Sequence, residues 1–313
     1  MATRSPEQLA FEAAIRENLR QRAQLLGSTL GQAERLLKGL SATITALLAQ
    51  QPAEWQQLQL QRVQLQVQAL VDGLQGSLAQ QVDGGLQKAW QLGVAGIDAP
   101  LAAASIHVEV FMPALDASLL TAMRSFTEGR IKDLATQATA AVDQAIHLAV
   151  LGAQTPQQAI KQVQTAVGGP EGPALTRARR IVVTSLGQAY GAAGQQRKEQ
   201  AQAFVPDLQK QWRRSGKIHS RWNHDAMDGV VVDADKPFLV PTKGAGAFVK
   251  MMHPHDPKAP PEEVINCGCI ARPWLSRWGL PTGGTPFSER ELKLNPLKRA
   301  SAAWIGGRLA TKR

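Results

Sequence analysis

Both cysteines of this chain, Cys267 and Cys269, lie in one octapeptide, EEVINCGC, and are separated by a single glycine. Four of the six histidines, His219, His224, His253 and His255, fall in the same stretch from 219 to 269. Such clustering of soft and borderline donors points to metal binding. If INCGC is extended, the two cysteines project from one face with Cα atoms roughly 6.6 Å apart, the stretched end of disulfide geometry. A tetrahedral ion holds two thiolates each about 2.3 Å from itself and therefore ~4 Å from each other, which a turn at Gly268 permits. The pair suits chelation better than a bridge.

The partner is sought in RWNHDAMDG. There His224 and Asp228 are four apart and share a face if the segment makes a helical turn ended by Gly229. His253, His255 or Asp256 would supply a fourth ligand. The spacing is not that of a standard zinc finger, which needs a second close pair of ligands at the proper separation. The expectation is a structural zinc. The competing reading makes the cysteines small buried apolar residues and leaves the histidines to ordinary hydrogen bonds.

Catalytic readings fit less well. A Cys267–His224 nucleophile pair lacks a helix N-terminus to lower the thiol pKa. The zinc deaminase pattern needs H-x-E and P-C-x-x-C, and neither occurs. WNHDAMDG has the histidine of small ββα-metal nucleases without their second ligand. His107 and His147 sit in apolar helical surroundings and read as satisfied core or interface histidines. The seven tryptophans are not interleaved with Lys and Arg as in nucleic-acid grooves, and read as core anchors.

Basic charge is concentrated late in the chain. Residues 1–150 carry 11 basic and 13 acidic side chains, residues 151–313 carry 24 and 12, and the net charge is +10. Such a surplus attracts phosphate backbones or other acidic surfaces. The densest run, KQWRRSGKIHSRW, offers Lys210, Arg213, Arg214, Lys217 and Arg221 as candidate contacts to double-stranded DNA, against the alternative of a solvated basic face. The start of the chain lacks the apolar core of a signal peptide, and no stretch reaches the roughly 18 apolar residues of a membrane span. We expect a protein made in the cytoplasm and not exported by a cleaved signal, without a membrane partner. Two cysteines in one tripeptide form no disulfide framework.

The elements that must position these residues follow from periodicity. Residues 6 to about 165 are rich in Ala, Gln and Leu and read as long helices, with breaks at QQPAEW, VDGGL, GIDAPLAAAS and FMPALDAS that divide them into four or five. In LQLQRVQLQVQALVDGLQGSL, Leu60, Val63, Val67, Leu70, Leu74 and Leu78 keep a three-four rhythm, so helix is expected over strand, as a bundle seam or a coiled coil. Thr155, Pro156 and Gln158 form a helix-start signal. A further helix is expected from about Ala174 to Ala203. Composition changes near Phe204, after which GVVVDADKPFLV reads as strand, turn and strand, and VINCGCIARPWL as another strand. The fold class is α+β: a long-helix N-terminal half, then a small mixed domain with short strands and long loops. The divisions are 1–124 helical, 125–204 a second helical part, 205–280 the small mixed domain and 281–313 a basic tail.

Residues 125 to 275 resemble a known family. Trp212, then Arg221 and His224, then Met227 to Gly229, then Asp235 to Phe238, then DPKAPPEEVINCGC from Asp256 to Cys269, is similar to the phage Mu F-type minor head protein, or head morphogenesis, domain. The pairing of H-x-x-x-D-G with P-x-E-x-x-x-N-C-x-C carries the likeness. The family usually has Arg between the cysteines, where this chain has Gly268, and commonly Arg-Thr-Glu where it has Val183, Thr184 and Ser185. The resemblance implies structural motif positions at Gly229, Asp256 and Asn266. It also implies a non-enzymatic virion component of a tailed phage or prophage, inside the head near the portal vertex. Its partners would be the portal protein and capsid or scaffold proteins, and it would act in head assembly or DNA ejection. The rival readings are a metal-dependent nuclease or toxin-type effector, and a non-specific DNA-binding module.

Overall fold

The computed structural model describes residues 4–51, 57–243, 246–279 and 284–298, with the side chains of 57–61 also left out. The chain is α+β, with long helices first and short antiparallel strands after them. Its helices are α1 (Pro6–Ala49), α2 (Gln57–Ala103), α3 (Ser118–Val150), α4 (Pro156–Val163) and α5 (Pro173–Gln202). They are fewer and longer than the expected breaks imply. Gly84, Gly85, Gly96 and even Pro100 lie inside α2, so VDGGL does not end a helix, whereas the break at GIDAPLAAAS holds, since α2 ends within it at Ala103. The alternating stretch is helical, with Val63, Val67, Leu74 and Leu78 buried; Leu60 lies outside the described side chains, as Trp55 and Trp304 lie outside the described residues.

Two compact units form, and they do not follow the sequential divisions. One comprises Gln24–Gln87 and Ser118–Ser185. It is helical, with Ile131, Leu134, Ala138, Val142 and Ile146 buried along α3, and α3 packs on α4. Thr155 caps α4: its hydroxyl accepts from the Gln158 amide at 3.2 Å, and the Gln158 side chain accepts from the Thr155 amide at 2.8 Å. Thr184 and Ser185 are buried, and Ser185 bonds Thr127 at 3.1 Å.

The other unit joins the described residues of Met1–Ala23, Lys88–Ala117 and Leu186–Arg313. Its three-stranded sheet has the order β2-β1-β5, antiparallel throughout, from β1 (Leu208–Arg213), β2 (Val231–Asp233) and β5 (Ile270–Leu275). Trp212 stands opposite Ala271 in the register. A separate hairpin pairs β3 (Phe238–Pro241) with β4 (Phe248–Met251). The strand-turn-strand stretch therefore does not close on itself, because β2 and β3 belong to different sheets. Short helices α6 (Trp222–Ala226), α7 (Pro261–Val264) and α8 (Glu289–Leu294) complete the unit.

Two cores serve this unit. Phe11, Ile15, Ile97, Leu101, Met112, Val205, Leu208 and Leu275 make one. Trp212, Met227, Phe238, Val240, Met251, Val264, Cys267 and Cys269 make the other, which is the floor of the site. Glycine allows α2 and α5 to meet closely: a Cβ on Gly93 would stand 2.4 Å from the Tyr190 carbonyl oxygen.

Candidate metal centre

The site begins with a turn, not a strand. α7 ends at Val264, the Cys267 amide bonds back to the Val264 carbonyl at 3.2 Å, and β5 starts only at Ile270. Asn266 takes a left-handed φ of 54°, a conformation asparagine tolerates better than most residues. The turn brings the Cys269 amide to 3.4 Å from the Cys267 sulfur. The extended geometry expected for NCGC is thus replaced by a knuckle that folds both sulfurs toward one point.

Gly268 is required there. A Cβ at this position would lie 2.8 Å from Cβ of Ser215 and 3.1 Å from Cε of Lys217. Lys217 instead brings its ammonium alongside, bonding the Asn266 carbonyl at 2.7 Å and feeling the charge of both cysteines.

α6 carries His224 to the sulfurs. Its Nδ1 lies 3.4 Å from Sγ of Cys267 and 3.7 Å from Sγ of Cys269. Two ligands at 2.0–2.1 Å and 2.3 Å from a tetrahedral zinc stand about 3.5 Å apart, so the spacing matches a common ion. All three donor atoms lie within 4.8 Å of one another, and the three residues are buried. The other imidazole nitrogen, Nε2, sits 2.7 Å from Oε2 of Glu263. An ionised carboxylate only accepts, which puts the proton on Nε2 and turns the Nδ1 lone pair to the sulfurs. Glu263 is itself held by the Asn223 side-chain amide at 2.9 Å. The Trp212 ring meets the imidazole edge to face at 5.2 Å.

The two cysteines are pushed in opposite directions. The hydrogen bond between them holds Cys267 well below the usual thiol range, against the opposing effect of burial and with help from His255 and His224. The same bond pushes Cys269 up, and burial adds to it. Thiolate and imidazole donors can hold a metal ion, and they favour zinc, copper(I) or iron over magnesium or calcium.

The remaining sequence candidates are placed otherwise. Asp228 accepts from the Arg214 amide at 2.9 Å and the Thr285 amide at 2.5 Å, and does not join the donor group. Asp256 accepts from the amides of Met252 and Lys258, at 2.8 and 2.9 Å, and braces the loop. His253 donates Nδ1 to the Pro254 carbonyl at 2.8 Å. His255 is buried, and among the described residues neither of its ring nitrogens has a hydrogen-bond partner. Gly229, at φ 88°, makes the turn after α6. His107 and His147 are exposed rather than packed in a core.

The five basic candidates for DNA contact are largely committed inside the fold. Lys210 is fully buried in the middle of β1, bonded to Gln195 and the Met252 carbonyl at 3.0 and 2.7 Å. Arg214 pairs with Glu291 at 2.6 Å, Arg213 approaches Asp228 at 3.5 Å, and Arg221 donates to the Ile265 carbonyl at 2.6 Å. With Lys217 on Asn266, these groups hold the motif segments together. Glu263 was not anticipated. Its only signal was position, an acid beside the cysteine pair, since nothing in the spacing separates it from Glu262.

No protein-family model, curated protein or solved structure matches the chain.

Proposed function

We propose that this chain is a minor head protein of a tailed phage or prophage, present near the portal vertex and acting in head assembly or DNA ejection. A structural zinc would clasp its C-terminal unit. The observation that supports this reading is the convergence of the likeness-bearing residues. Trp212, Phe238, Cys267 and Cys269 share one core, His224 meets the sulfurs, and Arg221 and Lys217 bind the backbone of Ile265 and Asn266. Residues spread over some sixty positions serve a single clasp, as expected of a domain signature.

The donor set favours a structural role for the ion. His224 is 1% exposed and each cysteine 3%, so no substrate-sized approach reaches the donors. Structural zinc sites contribute to folding outright, by on the order of 10 kcal/mol. A structural and assembly role also suits the basic C-terminal half, which can meet packaged DNA without sequence preference. Among the described residues no helix is long and apolar enough to cross a membrane.

The test is made on particles assembled from the genome that encodes the chain. Mass spectrometry of purified virions should find it in few copies, retained with the portal when heads are disrupted in salt. Its absence from particles, or release with the steep salt dependence of a phosphate-bound protein, would overturn the reading.

A further inference from the structure

We infer that the cavity where α2 meets α5 is a halide site, which binds chloride between Lys198 and Arg22. Arg22, Gly93, Tyr190, Gly194 and Lys198 are among its lining residues, and all belong to the unit that carries the metal centre.

Size limits the occupant. The room for the centre of a water-sized particle is about 10 Å³, which suits one such particle. A water or a monatomic ion fits, whereas phosphate, sulfate and carboxylates are several atoms wide. Glycine holds the walls this close: a Cβ on Gly194 would stand 3.2 Å from the Gly93 carbonyl oxygen.

Charge chooses between a water and an ion. Lys198 is 2% exposed, and among the described residues it has neither a hydrogen bond nor an ion pair. Its Nζ stands 3.8 Å from where a Gly194 Cβ would be, so the ammonium ends at the cavity wall. Arg22 also makes no hydrogen bond or ion pair among the described residues, and its guanidinium lies 5.0 Å over the Tyr190 ring. A guanidinium is not deprotonated in proteins, so this charge is permanent.

Nothing nearby offsets the two cations. The Tyr190 hydroxyl already donates to Asn18 at 2.8 Å. Glu199, next to Lys198 in sequence, is exposed and accepts from Gln195 at 2.8 Å. Lys210 only adds repulsion. Cys269 lines the cavity too. Two thiolates and a neutral imidazole on a divalent ion make a neutral group, so the metal centre supplies no counter-charge, and in this the inference rests on the zinc reading above. A water would accept from Lys198 and Arg22 but leave both charges uncompensated. A halide accepts the same hydrogen bonds and pairs the charge, which buried charges require. The ion would tie α1, through Arg22, to α5.

The test uses full-length protein purified with zinc, with metal content measured on the same sample. Chloride replaces gluconate at pH 6 and constant ionic strength. Each tenfold step in chloride above its dissociation constant should raise the folding equilibrium constant of the unaltered chain about tenfold, read by urea unfolding. Lys198→Met, which is expected to be the more stable protein without halide, should show no such dependence. A parent indifferent to chloride, or a variant with the same slope, would overturn the inference and leave a water or a general salt effect. Crystals of the unaltered chain grown with bromide should give an anomalous peak beside Nζ of Lys198, and its absence counts against the site even if the variant misfolds. Protein without stoichiometric zinc would overturn the metal reading, while the chloride slope on that sample still decides this one.

Discussion

Glu263 holds His224 from behind: its Oε2 is 2.7 Å from Nε2, while Nδ1 of the same ring faces Cys267 at 3.4 Å. The carboxylate selects the tautomer and fixes the ring, as outer-shell acids do in zinc sites. Glu263→Ala should therefore weaken metal binding by ~10–100-fold without removing a donor. Competition against a chromophoric chelator measures this. Glu263→Gln, which still accepts from Nε2–H, should lose less. Equal affinities across all three proteins would show that the pairing does not orient the ligand.

Gly268 gives a second expectation. Any side chain there meets Ser215 at 2.8 Å, with Lys217 close behind. Gly268→Ala should destabilise the C-terminal unit by ~1–3 kcal/mol, the usual cost of overpacking. Urea unfolding reads the change, and an unaltered midpoint would mean that the 215–217 segment yields freely.

How far the sequence carried the fold depends on the kind of signal. Local signals were legible: the capping box at Thr155 and Gln158, the stop at Gly152, and α5 almost to the residue. Signals that depend on a distant neighbour were not. Nothing near Gly93 in the sequence marks the Tyr190 carbonyl that packs against it. Lys210 reads as basic surface, yet it lies between Leu208 and Trp212 on a central strand with Gln195 as its partner. The two cysteines and His224 were legible by type and order. The turn at Asn266 that joins them was hidden by the apolar residues flanking NCGC, which suggested a strand.

Lys198 tests the electrostatics of the same unit. It is 2% exposed, and among the described residues it has no hydrogen bond or ion pair. Burial, with repulsion from Lys210, holds its pKa down to about 7. An unfolded lysine titrates near 10.4, so between pH 7 and 10 the unfolded chain binds more protons and this residue makes stability rise with pH. Below pH 7 the folded state carries the full penalty of a buried charge. Lys198→Met should raise the urea midpoint at pH 6 and 7, and the gain should shrink toward pH 9.5. A constant difference across that range would place the ammonium in contact with solvent.

Arg214 and Glu291 make the last expectation. They meet at 2.6 Å with side chains only 5% and 6% exposed, and Lys298 approaches the same carboxylate at 2.6 Å. Burial alone would raise the Glu291 pKa, but the bonds from Arg214, Lys298 and the Ser288 cap outweigh it and hold the carboxyl well below its ordinary range. The pair ties the segment from Gly284 to Lys298 over the Asp225 and Asp228 end of the motif. Removing one partner strands the other charge, so Glu291→Ala should cost about 3–5 kcal/mol. A depressed carboxylate contributes stability that is present above the unfolded pKa near 4.3 and is lost as pH falls toward the folded value. The difference between the unaltered protein and Glu291→Ala should accordingly be constant from pH 8 to 5 and shrink below pH 4. Denaturation at pH 7 and pH 3.5 measures both ends. A variant as stable as the parent at pH 7 would show that this strap is dispensable to the clasp beneath it.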